Sequence, residues 1–282
     1  MPTVDLPQGQ LHYRVAGPDD SSAPPVVFLH GILVNGELWT GLATALAESG
    51  VRSYAPDLPL GAHPTPLSAG ADLTPRGVAR LVLDFLAALD LTDVTLVGND
   101  TGGALCQFVI DTDASRIGRL VLTNCDAFDT FPPAPFGMLV KAARRPGRIK
   151  LLLNTVRPAS LRHSALGFGP LAAKPLDAGM TRRWITPGLD QRGVRRDTAT
   201  FMRGIKPAEL LDVSTRLHRF TKPVLLLWGA ADRFFKPRLA HRLAAEFPDA
   251  RLVEIEGGRT FLPLDEPRRV ADEIRTAFPV PA

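Results

Sequence analysis

A strand-like run, Val94-Thr95-Leu96-Val97, passes directly into Gly98-Asn99-Asp100-Thr101-Gly102-Gly103 and then into a helical stretch from Ala104. A strand that ends on one polar residue fenced by glycines and resumes as a helix must turn sharply. The small neighbours let the central side chain stand on a strained strand-to-helix turn without striking strand or helix. The helix N-terminus and the backbone N–H of Thr101 would then face negative charge developing on a bound molecule. Taken alone, the stretch also fits a tight turn in which Asp100 only caps a helix.

The surrounding sequence supplies a frame for that turn. Val26–Leu29, Leu120–Leu122, Val224–Trp228 and Leu252–Ile255, the last interrupted by Glu254, are further largely apolar runs, the pattern of strands buried on both faces of a parallel sheet. Helical patterns lie between them, as over Thr74 to Leu89, where Thr74 is placed as N-cap ahead of Pro75. The expected fold is therefore α/β, a mostly parallel central sheet flanked by helices. From about Cys125 to Thr221 strand patterns vanish and Pro-rich turns such as Phe131-Pro132-Pro133 separate short helical stretches. We read residues 1–125 and 222–282 as the core and 126–221 as a helical lid inserted within one domain.

Charge is unevenly spread along the 282 residues. Between Phe136 and Lys222 there are 18 Lys and Arg against 5 Asp and Glu, so the rest of the chain is net acidic although the whole carries +4. These arginines lack interleaved aromatics or an RNA-binding signature, which makes a solvated basic surface the expected reading and nucleic acid an unexpected partner. No apolar run is long enough to span a bilayer and Met1 to Tyr13 lacks a signal-peptide layout, so no membrane partner is expected and the expected location is cytoplasmic. Cys106 and Cys125 lack metal-ligand spacing and read as buried small hydrophobes.

Two more motifs agree with the turn in order and spacing. Val26–Leu29 runs into His30-Gly31-Ile32, with Trp39 shortly after, and the Ile32 N–H stands where such a turn donates a second hydrogen bond to an oxyanion. Leu226-Leu227-Trp228-Gly229-Ala230-Ala231-Asp232 delivers an acid just beyond a strand's C-terminal end, where open α/β sheets bind ligands. With all three motifs in place the chain resembles the α/β-hydrolase superfamily over nearly its whole length. Its elbow aspartate is similar to that of the haloalkane dehalogenase and epoxide hydrolase branch. The resemblance implies Asp100 as nucleophile or general base, Asp232 in support, and an oxyanion hole from the N–H groups of Ile32 and Thr101. His30, Trp39, Asn99, Asp126 and Arg259 make up the candidate substrate-binding set.

The resemblance breaks at one position. In that branch a histidine after the last strand activates the water that cleaves the enzyme ester, whereas Glu256-Gly257-Gly258-Arg259-Thr260-Phe261-Leu262-Pro263 sets Thr260 there. Threonine is no general base near neutral pH. Among the six histidines, His163 in the lid and His218 ahead of Val224 are the candidates for a substitute base. Thr101 replaces the Trp that follows the dehalogenase aspartate, and the only tyrosines, Tyr13 and Tyr54, lie outside the lid where epoxide hydrolases place theirs.

Asp126 and Asp129 follow the Leu120 strand and, with Asp100, would form a carboxylate cluster able to hold a proton at neutral pH, unless they only cap a lid helix. Arg259 either pairs with Asp232 or Asp100, or points to solvent while Thr260 hydrogen-bonds Asp232. The expected function is an enzyme acting on a small organic molecule. The alternatives are a lyase, isomerase or cyclase on the same scaffold, and a non-catalytic ligand-binding protein. No phosphate-binding loop or clustered metal ligands are present, so neither cofactor nor metal is expected. A homodimer is left open.

Overall fold

The computed structural model describes residues 1–279. Eight strands form one sheet: β1 (Thr3–Leu6), β2 (Gly9–Ala16), β3 (Val26–Leu29), β4 (Ser53–Pro56), β5 (Val94–Asp100), β6 (Ile117–Cys125), β7 (Val224–Gly229) and β8 (Ala250–Ile255). Their spatial order is β1-β2-β4-β3-β5-β6-β7-β8. The pairs β1/β2 and β2/β4 are antiparallel and the remainder parallel. This is the mostly parallel α/β sheet that the aliphatic runs imply. Strands β3, β5 and β7 are buried along almost their whole length.

The core helices are α1 (Thr40–Ala47), α2 (Pro75–Ala88) and α3 (Thr101–Thr112). Between β6 and β7 run α4 (Phe136–Ala143), α5 (Pro146–Thr155), α6 (Ala159–Arg162), α7 (Ala178–Asp190), α8 (Arg192–Gly204) and α9 (Pro207–Ser214). The chain ends with α10 (Pro237–Ala244), α11 (Leu262–Asp265) and α12 (Pro267–Ala277). Thr74 caps α2 by accepting from the Gly77 N–H, with Pro75 in the first turn. Among the described residues no helix is long and apolar enough to cross a membrane.

The chain lays β4 on one side of β3 and then crosses to place β5 on the other, so connections leave β3 and β5 in opposite directions and open a crevice beyond their C-terminal ends. Register aligns those ends: Leu29 pairs with Gly98, Asp100 with Cys125 and Gly229 with Ile255. The segments that follow, from His30, Asp100, Asp126, Asp232 and Gly257, therefore emerge along one edge of the sheet.

Candidate active site

Asp100 sits at φ 55°, ψ −130°, a left-handed setting that costs a non-glycine residue of order 1 kcal/mol and persists where neighbours enforce it. Packing does so here. A Cβ on residue 102 would lie 1.9 Å from the Leu29 carbonyl oxygen, so only glycine lets α3 start this close to β3. Gly31 has the same role from the other side, since a Cβ there would lie 2.1 Å from Asp100 Oδ2. The carboxylate is thus pressed toward the turn after β3, where the N–H groups of Ile32 and Thr101 act on it and lower its pKa. Burial and the charge of Asp232 outweigh them and push the Asp100 pKa up to about 7. Gly31→Ala is expected to displace the carboxylate and cut any reaction at Asp100 by at least about 100-fold, the effect typical of losing an oxyanion-type donor, as single-turnover kinetics would read.

The carboxylate forms part of the floor of a cavity of about 360 Å³. Among the described residues Asp100 is the only charged one lining it, beside apolar side chains that include Leu33, Phe136, Val140, Phe168, Leu171 and Phe235. Most of that wall belongs to the segment between β6 and β7. Sequence reasoning missed all of these residues except Ile32, Asp100 and Thr101, because periodicity finds a helix's buried face without telling what that face covers.

Asp232 lies beyond β7 and is surrounded by donors. Its Oδ1 accepts from the N–H groups of Phe234 (2.7 Å) and Phe235 (3.1 Å), and its Oδ2 from Asn124 Nδ2 (2.9 Å) and Thr260 Oγ1 (2.8 Å). Burial still raises its pKa. Asn124 is a residue missed in sequence. It also accepts from the Gly229 N–H at 2.7 Å, stapling β6 to β7 at the site. Its position at the end of a strand, two residues before Asp126, is the signal that would have found it. Thr260→Val removes a buried partner of Asp232 and should cost about 1–3 kcal/mol, measurable by urea unfolding.

The remaining candidates are placed as follows. Trp39 is buried against Phe28, ring centroids 4.7 Å apart, and does not line the cavity; it is a core residue rather than a substrate contact. His30 is also buried and structural: Nδ1 bonds to the Gly31 carbonyl (2.8 Å) and Nε2 accepts from the Leu58 N–H (2.8 Å). Burial holds its pKa down at about 3, so it stays neutral. Asn99 turns away from the cavity and donates to the Thr260 carbonyl (2.6 Å) and Thr123 Oγ1 (2.9 Å), which fixes the final loop to β5. Asp126 lies behind the elbow, its Oδ2 accepting from Thr101 Oγ1 at 3.0 Å. Burial, reinforced by Asp100, raises its pKa well above the carboxylate range, but it does not reach the cavity surface. Asp129 is exposed at the surface, near Arg242, and takes no part in a cluster.

Thr260 bonds Asp232 as one of the two expectations had it, but Arg259 itself departs from both. Its Nη1 donates to the Ala172 carbonyl (3.0 Å) and its N–H to Asp265 Oδ2 (3.1 Å), so it fastens the chain after α6 to the core instead of meeting Asp100 or solvent. Neither candidate histidine can serve as the base. His163 bonds to Thr181 Oγ1 at 2.8 Å, and His218 is exposed ahead of the N-terminal end of β7, opposite to the end that carries Asp232. Among the described residues no histidine lines the cavity or hydrogen-bonds Asp100 or Asp232.

A strained acidic elbow after β5, an N–H pair facing it and an acid beyond β7 on this sheet define the class. The chain belongs to the alpha/beta hydrolase family, whose model matches residues 26–273, and it is a hydrolase by class. Among curated proteins it is similar to haloalkane dehalogenase 2 of Mycobacterium tuberculosis, 28% identical over 296 residues that cover 97% of this chain and 93% of the relative. It is also similar to a 2-hydroxy-6-oxononadienedioate/2-hydroxy-6-oxononatrienedioate hydrolase of Dechloromonas aromatica, 27% identical over 86% of this chain and 81% of the relative. The fold matches that of a haloalkane dehalogenase from Bradyrhizobium elkani (TM-score 0.78, 19% identity, 98% and 97% of the two chains). The epoxide hydrolase CorEH matches it with a TM-score of 0.76 at 18% identity, over 98% and 97% of the two chains.

Proposed function

We propose that this hydrolase takes a small, largely apolar molecule bearing an electrophilic carbon and attacks it with the Asp100 carboxylate. The observation that carries this reading is the position of a single ionisable group, among the described residues, on an apolar cavity wall beside the N–H groups of Ile32 and Thr101. In the first step a carboxylate oxygen forms a bond to the substrate carbon and the leaving group departs with its electron pair, giving an Asp100 ester. In the second, water adds to the ester carbonyl and gives up a proton to solvent, the N–H groups of Ile32 and Thr101 bind the oxyanion that forms, and its collapse breaks the acyl–oxygen bond, releasing the substrate group as an alcohol and restoring the Asp100 carboxyl group. The segment 126–221 acts as a lid that excludes water and selects for apolar shape. The names of the relatives, dehalogenase and hydrolase, agree with an electrophilic carbon as the target.

The second step has no imidazole to take a proton from water. Thr260 donates to Asp232 and cannot accept that proton at neutral pH. Ester cleavage is therefore the slow step, and the covalent intermediate accumulates. Intact mass of the wild type and of Asp100→Ala, after exposure to alkyl halides, epoxides, activated esters and lactones, tests this directly. The wild type should gain the mass of the acquired group and the variant should not. Substrate consumed without any adduct would instead support Asp100 as a general base, a role suited to a group titrating near 7.

Attack requires the ionised carboxylate. Adduct formation should rise about tenfold per pH unit up to about pH 7 and level off above it, because about one tenth of Asp100 is ionised one unit below its pKa. Initial rates between pH 5.5 and 8.5 would show this, and a flat profile would contradict nucleophilic use of Asp100.

A further inference from the structure

A second cavity, of about 710 Å³, opens among α5, α6 and α7 and shares only Ile185 with the catalytic one. Its walls carry Lys150, Arg157, Arg162 and Arg182 against a single carboxylate, Asp190. Other cations of the same segment stand in ion pairs: Lys174 with Glu266, Arg183 with Glu37, Arg196 with Asp197 and Arg216 with Asp111. Among the described residues none of the four cleft cations pairs with a carboxylate, Asp190 included.

Arg162 makes the cleft more than a basic surface. It is 2% exposed, and its guanidinium is held by neutral acceptors alone: Thr181 Oγ1 at 2.9 Å, the Arg157 carbonyl at 2.6 Å and the Ala178 carbonyl at 3.1 Å. A buried cation without a counter-charge is costly, and carbonyl dipoles compensate it only in part. Burial and the neighbouring charge of Arg182 both lower its pKa, which marks the unrelieved positive potential. With the Val156 carbonyl also accepting from Nη1 at 3.4 Å, these bonds take up most of the Arg162 N–H groups and fix it in the cleft wall, so it acts on a bound anion as a fixed positive charge while Lys150, Arg157 and Arg182 supply the free donors.

We propose that this cleft binds a soluble small-molecule polyanion carrying clustered phosphate or carboxylate oxygens, held among Lys150, Arg157, Arg162 and Arg182. Its volume lies within the range of small-ligand sites. Leu189, Ile185 and Ala159 offer an apolar wall to the ligand's organic part. Among the described residues no aromatic side chain lines it, so it lacks the stacking platform that single-stranded nucleic acid uses. The proposal does not depend on which reaction Asp100 performs.

Inorganic pyrophosphate is the probe. Titrated into the full chain, it should raise the thermal midpoint saturably, as a ligand bound to the native state does, and give a calorimetric isotherm. The exposed pair Arg157→Gln/Arg182→Gln should weaken its affinity about tenfold or more, as expected when charge-assisted hydrogen bonds are lost. The variant's anion-free midpoint reports its folding. If that variant does not fold, Lys150→Gln alone is expected to weaken binding several-fold. An equal rise with sodium chloride at matched ionic strength, or wild-type affinity in a folded variant, would overturn the site. Binding to phosphatidate-containing vesicles with no response to pyrophosphate would overturn the soluble ligand.

Discussion

Asp100→Asn should yield a folded protein that forms no ester with any electrophile and is more stable than its parent above pH 7. The loss of chemistry follows because an amide is neither an adequate nucleophile nor a base. The gain in stability follows from where the carboxyl titrates. Its ordinary pKa is 3.8 and its folded value about 7, so between those limits the folded chain keeps a proton that the unfolded chain has released. Its favourable contribution is full below about pH 4 and is lost as pH rises through 7, where a charge must be held in a buried cavity. At pH 8 the substitution should therefore add about 2–4 kcal/mol, and near pH 4 almost nothing. Urea unfolding at both pH values decides it. An equal effect at the two would mean that the carboxyl is not strained by burial.

Under the proposed mechanism, Thr260→His should let the Asp100 ester turn over. The Thr260 hydroxyl bonds Asp232 at 2.8 Å, and its carbonyl is held by Asn99, so a side chain at this position is already aimed at the acid. An imidazole there would give one N–H to Asp232 and leave the other nitrogen to take a proton from water. General base catalysis of this kind contributes about 10²–10⁴-fold, and the adduct lifetime should shorten by that factor. The residue is fully buried, so the larger ring is expected to cost about 1–3 kcal/mol by overpacking. Time-resolved intact mass with product analysis would follow it. An adduct as long-lived as the parent's in a folded variant would mean that residue 260 does not stand at the water-activating position.

The parts of the molecule readable in sequence are those where one residue type is imposed by one local geometry. Gly102 and Gly31 are such residues, and they mark the elbow and the turn facing it. The buried strands β3, β5 and β7 are legible because both faces are apolar. By contrast β4, four residues ending in Pro56, is too short for a periodic pattern, and β1 and β2 are largely half-exposed; β8 is half-exposed too, but Leu252, Val253 and Ile255 still mark it. Direction is what sequence withholds. His30, Trp39, Asn99 and Asp126 all flank the site in the chain, yet each turns its side chain into the protein rather than toward the cavity. Arg259 was placed near the site by its loop, but its partner is a carbonyl of a segment nearly 90 residues earlier. Cavity walls drawn from α4, α5, α7 and α8 depend on how those helices cross, which no local pattern encodes.

The ties around Arg259 divide the rim of the cavity into two unlike halves. The Phe261 N–H donates to the Leu171 carbonyl (2.7 Å), Arg259 to that of Ala172, and Asp265 Oδ1 accepts from the N–H groups of Ala173 (2.8 Å) and Lys174 (3.0 Å). Also lining the cavity, Leu139 and Leu166 make none of these ties and stand 40% and 72% exposed. A rim tied on one side and bare on the other should loosen first at the leucine edge, and amide hydrogen exchange should be slow at 173 and 174 and fast across 136–140 and 164–167.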